Sequence, residues 1–156
     1  NARVDAFVQG LRELGMKPGD KLLVQSRNNL PMFESCWAAF RLGAIWVPTN
    51  FRLTPPEVAY LGSSSEANFM LAEDVFASHV DAVREASEHL QHVITIGTPR
   101  ADETRYEDLL ARHAGTSAAC SASRRCCSAG SRPAISTSMR LWCRPRRRAS
   151  PTRARS

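Results

Sequence analysis

The first 115 residues predict an α/β fold: a largely parallel sheet with helices on its faces. Two observations carry this. Apolar residues at helical three-and-four spacing alternate with short apolar runs of strand length, in the order αβαβαβαβα. The runs are also continuous, as in strands covered on both sides, not alternating as in strands with one wet face.

Taken in order, Val4, Phe7, Val8, Leu11 and Leu14 mark one face of a first helix, which Gly15 can end. Pro18-Gly19-Asp20 makes a turn into a first strand, Lys21 to Ser26. Leu30, Phe33, Cys36, Trp37 and Phe40 mark a second helix, with Asn28 or Asn29 as cap, Pro31 in its first turn and Gly43 at its end. On this spacing Cys36 is expected in the core. Ala44 to Pro48 is the second strand, stopped by proline.

Thr54-Pro55-Pro56-Glu57 has capping-box spacing and opens a short helix carrying Val58 and Leu61. Asn68 to Ala72 is a third strand. Asp74 is expected to cap a helix bearing Phe76, Val80, Val83 and Leu90. His92 to Ile96 is a fourth strand, Thr98–Thr104 a polar connection, and Tyr106 to Arg112 a last short helix.

Composition changes near residue 115. Residues 1–115 hold eleven basic residues against all fifteen acids, a formal −4; residues 116–156 hold ten arginines and no acid, a formal +10. The second segment is mostly Arg, Ser and Ala, and offers only Ile135, Met139, Leu141 and Trp142 as bulky apolar groups. That cannot offset roughly 1–2 kcal/mol of backbone ordering cost per residue, so a disordered basic tail is expected. No apolar run is long enough to span a membrane. The body has one cysteine, which fits a reducing cytoplasm. The start, Asn1-Ala2-Arg3-Val4-Asp5, carries no signal pattern and reads as the inside of a larger frame.

Three stretches together carry a resemblance. Leu14-Gly15-Met16-Lys17-Pro18-Gly19-Asp20-Lys21 leads into Leu22-Leu23-Val24-Gln25-Ser26-Arg27-Asn28. Phe33 to Ala44 follows, and then Val47-Pro48-Thr49-Asn50-Phe51-Arg52-Leu53-Thr54-Pro55-Pro56-Glu57 through Leu61. About residues 1–112 resemble the N-terminal subdomain of the adenylate-forming (AMP-binding) enzymes, most closely the fatty acyl-CoA synthetases. The resemblance implies an acid–thiol ligase. A carboxylate attacks the α-phosphorus of ATP, releasing pyrophosphate, and the thiol of coenzyme A then displaces AMP. ATP, Mg²⁺, CoA and a small carboxylic acid are implied for the parent enzyme.

The family pattern departs after residue 112. A Ser/Thr/Gly-rich phosphate loop ending in Pro-Lys-Gly, an aromatic-Gly-x-Thr-Glu stretch, a ribose-binding Asp and a C-terminal lysine are all missing from these 156 residues. The two lysines, Lys17 and Lys21, both precede the first strand. The expectation is therefore a partial N-terminal subdomain (1–115) that lacks catalytic, cofactor-binding and metal-binding residues and is inactive alone. The low-complexity tail (116–156) is expected to be an out-of-frame translation of a G+C-rich gene.

Arg144-Pro145-Arg146-Arg147-Arg148 could hold phosphates by charge, making the chain a small α/β module with a nucleic-acid-binding tail. Without aromatics for base stacking, incidental polyanion affinity is the simpler reading. Cys120, Cys126, Cys127 and Cys143 lack the paired spacing of structural zinc sites. Gly62-Ser63-Ser64-Ser65 follows a helix and precedes no Lys-Ser/Thr, so it reads as a helix stop, not a phosphate loop. His79, His89 and His92 lack acids or cysteines at ligand spacing. Asn50, Phe51, Arg52 and Thr54 sit just after a strand, where ligands of open α/β sheets bind, though capping and packing explain them. A small flavodoxin-like ligand-binding domain is a third possibility.

Overall fold

Strand order in the sheet is β2-β1-β3-β4-β5, with every neighbouring pair parallel. These elements come from a computed structural model, which describes residues 2–115. The strands are β1 (Lys21–Gln25), β2 (Ile45–Pro48), β3 (Phe69–Glu73), β4 (His92–Ile96) and β5 (Thr104–Arg105). The helices are α1 (Ala2–Glu13), α2 (Leu30–Leu42), α3 (Pro55–Ser65), α4 (Ala77–Ala86) and α5 (Tyr106–Arg112); one 3₁₀ turn, Asp74–Phe76, precedes α4. The α/β fold with a parallel sheet is as the apolar spacing predicts.

Strand side chains alternate between two cores, which explains the continuous apolar runs. Leu22, Val24, Phe69, Leu71 and Ile94 pack with Phe7, Leu11, Ala38, Ala39, Tyr106 and Leu109, so α1, α2 and α5 cover one face. Leu23, Met70, Ala72 and Val93 pack with Val58, Val80 and Val83, so α3 and α4 cover the other. β2 is an edge strand and is only partly covered.

The local signals work where their partners are local. Asn29 caps α2, its Oδ1 accepting the Met32 N–H at 3.0 Å, and Gly43 ends the helix at φ +71°. At α3 the Glu57 carboxylate accepts both the Thr54 N–H and the Thr54 hydroxyl at 2.8 Å.

Four expectations are corrected. Gly62 to Ser65 are not a stop: α3 runs through Ser65 and ends at Glu66, which takes the left-handed conformation. Gly62 is where α3 meets α4, since a Cβ there would lie 2.7 Å from Val83 Cγ1. Asp74 does not cap a helix; its Oδ2 accepts the Thr98 N–H at 2.9 Å, and α4 starts later with Phe76 at its cap position. The connection after β4 contains a strand: Thr104 and Arg105 pair with Ile94 and Thr95.

The fourth correction concerns α2. Its core face is Glu34, Ser35, Ala38, Ala39 and Leu42. Leu30, Phe33, Trp37 and Phe40 are instead 57%, 62%, 49% and 60% exposed, and Cys36 between the two faces is half-buried. The helix is apolar on both sides, and this sheet covers one of them.

Candidate functional site at the carboxyl edge of the sheet

In an open α/β sheet of this strand order, ligands bind at the carboxyl ends of the strands, where the chain winds off in opposite directions from β1 and β3. Here that edge is formed by Ser26, Arg27 and Asn29 after β1 and Glu73 at the end of β3. Glu73 is buried, and its two oxygens accept five hydrogen bonds. Oε1 takes the Ser26 hydroxyl at 2.8 Å, the Arg27 N–H at 2.6 Å and the Asn29 amide at 2.9 Å. Oε2 takes Arg27 Nε at 2.9 Å and Nη2 at 2.6 Å. Burial alone would raise the Glu73 carboxyl; the bonds from Arg27 and Ser26 outweigh it and hold it below the usual carboxylate range.

A second buried acid ties the helices together behind this edge. Glu34, 1% exposed, accepts Arg3 Nε at 2.8 Å on Oε1 and the Tyr106 hydroxyl at 2.7 Å on Oε2. Burial and the bond to Glu34 push the Tyr106 phenol well above its ordinary value. At the far end Glu103 accepts the Thr95 hydroxyl at 2.6 Å and Arg100 Nε at 2.6 Å, while Arg100 Nη1 reaches Asp81 at 2.6 Å. Each of these acids is held by hydrogen bonds from other segments of the chain.

Residues singled out in the sequence take structural places. His79 Nε2 donates to the Leu53 carbonyl at 2.9 Å and sets its ring edge-on to Phe76. His92 stacks on Phe69 with centroids 5.0 Å apart. Asn50 Oδ1 accepts the Arg52 N–H at 3.0 Å, and the Arg52 guanidinium lies 5.6 Å from the Phe51 ring centroid. Burial pushes the Cys36 thiol up, away from nucleophile behaviour. Lys21 Nζ pairs with Glu66 at 3.1 Å. Among the described residues no three His, Cys, Asp or Glu side chains come together as a metal site, and no helix is long and apolar enough to cross a membrane. Cys120, Cys126, Cys127, Cys143 and Arg144 to Arg148 lie outside the described residues.

Among the described residues, the Ser26, Arg27 and Asn29 donors that a phosphate would meet at this edge are bonded to Glu73. The buried polar atoms left unbonded among the described residues are Gln25 Nε2 and Arg100 Nη2. Gln25 is wholly buried at the end of β1.

The architecture is thus a doubly wound parallel α/β layer. Comparison with known proteins identifies it further: the AMP-binding enzyme family model matches residues 1–138, and the chain belongs to that family. It is similar to a feruloyl-CoA synthase from Amycolatopsis, 33% identical over 81 residues, 52% of this chain and 16% of that protein. A long-chain-fatty-acid–CoA ligase of Thermus thermophilus is 29% identical over 94 residues, 60% of this chain and 17% of that protein. Among solved structures, a long-chain-fatty-acid CoA ligase from Rhodopseudomonas palustris aligns at TM-score 0.65 and 26% identity, covering 69% of this chain and 28% of that one. The anthranilate CoA ligase AuaEII, solved with anthranoyl-AMP, shares the fold at TM-score 0.67 and 22% identity, covering 74% of this chain and 22% of that one. The chain spans about one sixth of the length of the curated relatives it matches.

Sequence reading overlooked Glu34, Glu73 and their partners. A usable signal existed for one of them: Ser26-Arg27-Asn28-Asn29 is a run of donors directly after a buried strand, and such donors need an acceptor.

Proposed function

We propose that residues 2–115 form the first α/β layer of an ATP-dependent carboxylic acid–CoA ligase, and that the 156-residue chain is scaffold without chemistry of its own. The family membership and the CoA-ligase names of its relatives support the first half. The second half rests on one observation: the Ser26, Arg27 and Asn29 donors at the ligand edge are bonded to Glu73. ATP, Mg²⁺, CoA and the acid belong to the whole ligase, and no step of its chemistry is assigned to residues 2–115. The single cysteine of residues 1–115 fits the cytoplasm, where we place the protein.

Residues 116–156 are, on the same reading, translated out of frame. The family match runs to residue 138, so it does not itself mark a boundary at 115. Reading the coding DNA in all three frames tests this: a Ser/Gly/Thr-rich loop with Pro-Lys in another frame is the expected result, and its absence would end the idea.

The scaffold reading is tested by titrating the pure chain with Mg-ATP in a calorimeter. No saturable heat is expected. Saturable binding that Arg27→Ala abolishes would show that the Glu73 network opens to phosphates.

A further inference from the structure

The exposed stripe on α2 has a symmetry that points to its occupant. Leu30, Phe33, Trp37 and Phe40 are separated by three, four and three residues, the seam spacing of paired helices. The order reads the same from either end about position 35. Laid antiparallel on a second copy, Phe33 faces the other Trp37 and Leu30 faces the other Phe40, which is the self-complementarity a two-fold interface requires.

The rings already form a ladder, with Phe33 and Trp37 edge-to-face at 6.1 Å and Trp37 and Phe40 at 6.3 Å. No free charge interrupts it. The two charged residues of α2 are Glu34, which binds Arg3 and Tyr106 in the core, and Arg41, which pairs with Asp5. At roughly 200 Å² for a large apolar side chain, the exposed fractions come to about 450 Å² per copy and about 900 Å² for a pair. That falls just under the roughly 1,000 Å² of a stable specific interface and predicts a weak, transient one.

We infer that this face is a homodimer interface: two copies of the chain pack α2 against α2, antiparallel, through Leu30, Phe33, Trp37 and Phe40. The inference does not depend on the ligase reading. Its readout is assembly, so its failure leaves the ATP-binding test untouched.

Sedimentation equilibrium of the intact chain tests it, with reductant to exclude disulfides and salt to screen the arginines. A monomer–dimer equilibrium is expected, with a dissociation constant on the order of 10 µM. Phe33→Lys and Phe40→Lys should each weaken it by about tenfold or more. Tyr60→Lys, an equally exposed ring on α3 across the sheet, should leave it unchanged. Circular dichroism checks that each variant folds, and all three sites are on the surface. A monomer at every concentration, with the stripe covered by the chain's own residues 116–156 or left in water, would overturn the inference. So would association that Tyr60→Lys weakens as much as Phe33→Lys does.

Discussion

Tyr106 donates its hydroxyl to Glu34 at 2.7 Å across 72 residues of sequence, so the last helix is fastened to the second through a buried acid. Arg3 of α1 holds the other oxygen of the same carboxylate at 2.8 Å. Three helices that share one face of the sheet thus meet at one buried carboxyl group.

Tyr106→Phe deletes one bond to that carboxyl group and leaves the ring's packing against Phe7 intact. A loss of about 1.5–3 kcal/mol is expected, the usual range for a hydrogen bond to a charged group. Urea unfolding of the two proteins measures it, and an unchanged midpoint would show that Glu34 finds another donor.

Glu73 makes stability fall in acid. Its folded carboxyl sits below the unfolded value, so its contribution is present above about pH 5. That contribution is lost as pH falls through the ordinary carboxylate range toward the folded value. In Glu73→Gln this part of the acid dependence should vanish while neutral-pH stability drops. Denaturation midpoints across the acid range, compared between the two proteins, check both parts.

The contact at Gly62 leaves no room for a methyl group, since a Cβ would stand 2.7 Å from Val83 Cγ1. Gly62→Ala should cost about 1–3 kcal/mol through overpacking. Val83→Ala in the same chain should return part of it, giving a coupling energy in a double-mutant cycle. Additive single effects would mean that α3 and α4 separate without strain.

The acceptor at the ligand edge can be removed outright. Glu73→Ala leaves the Ser26 hydroxyl, the Arg27 N–H and the Asn29 amide without their carboxylate. A cost of about 3 kcal/mol is expected at neutral pH. Faster hydrogen exchange at Arg27 and at Met32, whose N–H rests on Asn29, would localise the effect. Unaltered exchange at both would show that the turn holds itself.

These cases mark where the sequence is legible. β1, β3 and β4 are readable because strands covered on both faces send apolar side chains into both cores, as Leu22, Leu23 and Val24 do. Gly62 to Ser65 read as a turn because Gly and Ser usually punctuate; the close packing of Gly62 is against Val83, some twenty residues on. β5 escapes because its two residues are polar and gain strand character only from Ile94 and Thr95. For α2 the apolar spacing is real, but spacing alone does not say which apolar face meets the chain's own sheet. Ala38 and Ala39 win it because small residues let the helix approach closely. Glu34 and Glu73 are the least legible: charged residues are expected outside, and partners up to 72 residues away justify their burial.

On the scaffold reading, this polypeptide performs no carboxylate activation, because the Ser26, Arg27 and Asn29 donors are bonded to Glu73. Pyrophosphate release should be measured with pure 156-residue protein, Mg-ATP and a panel of aliphatic and aromatic acids. The rate with each acid should equal the rate without it. Release that depends on the acid, and is lost in Arg27→Ala, would contradict the account.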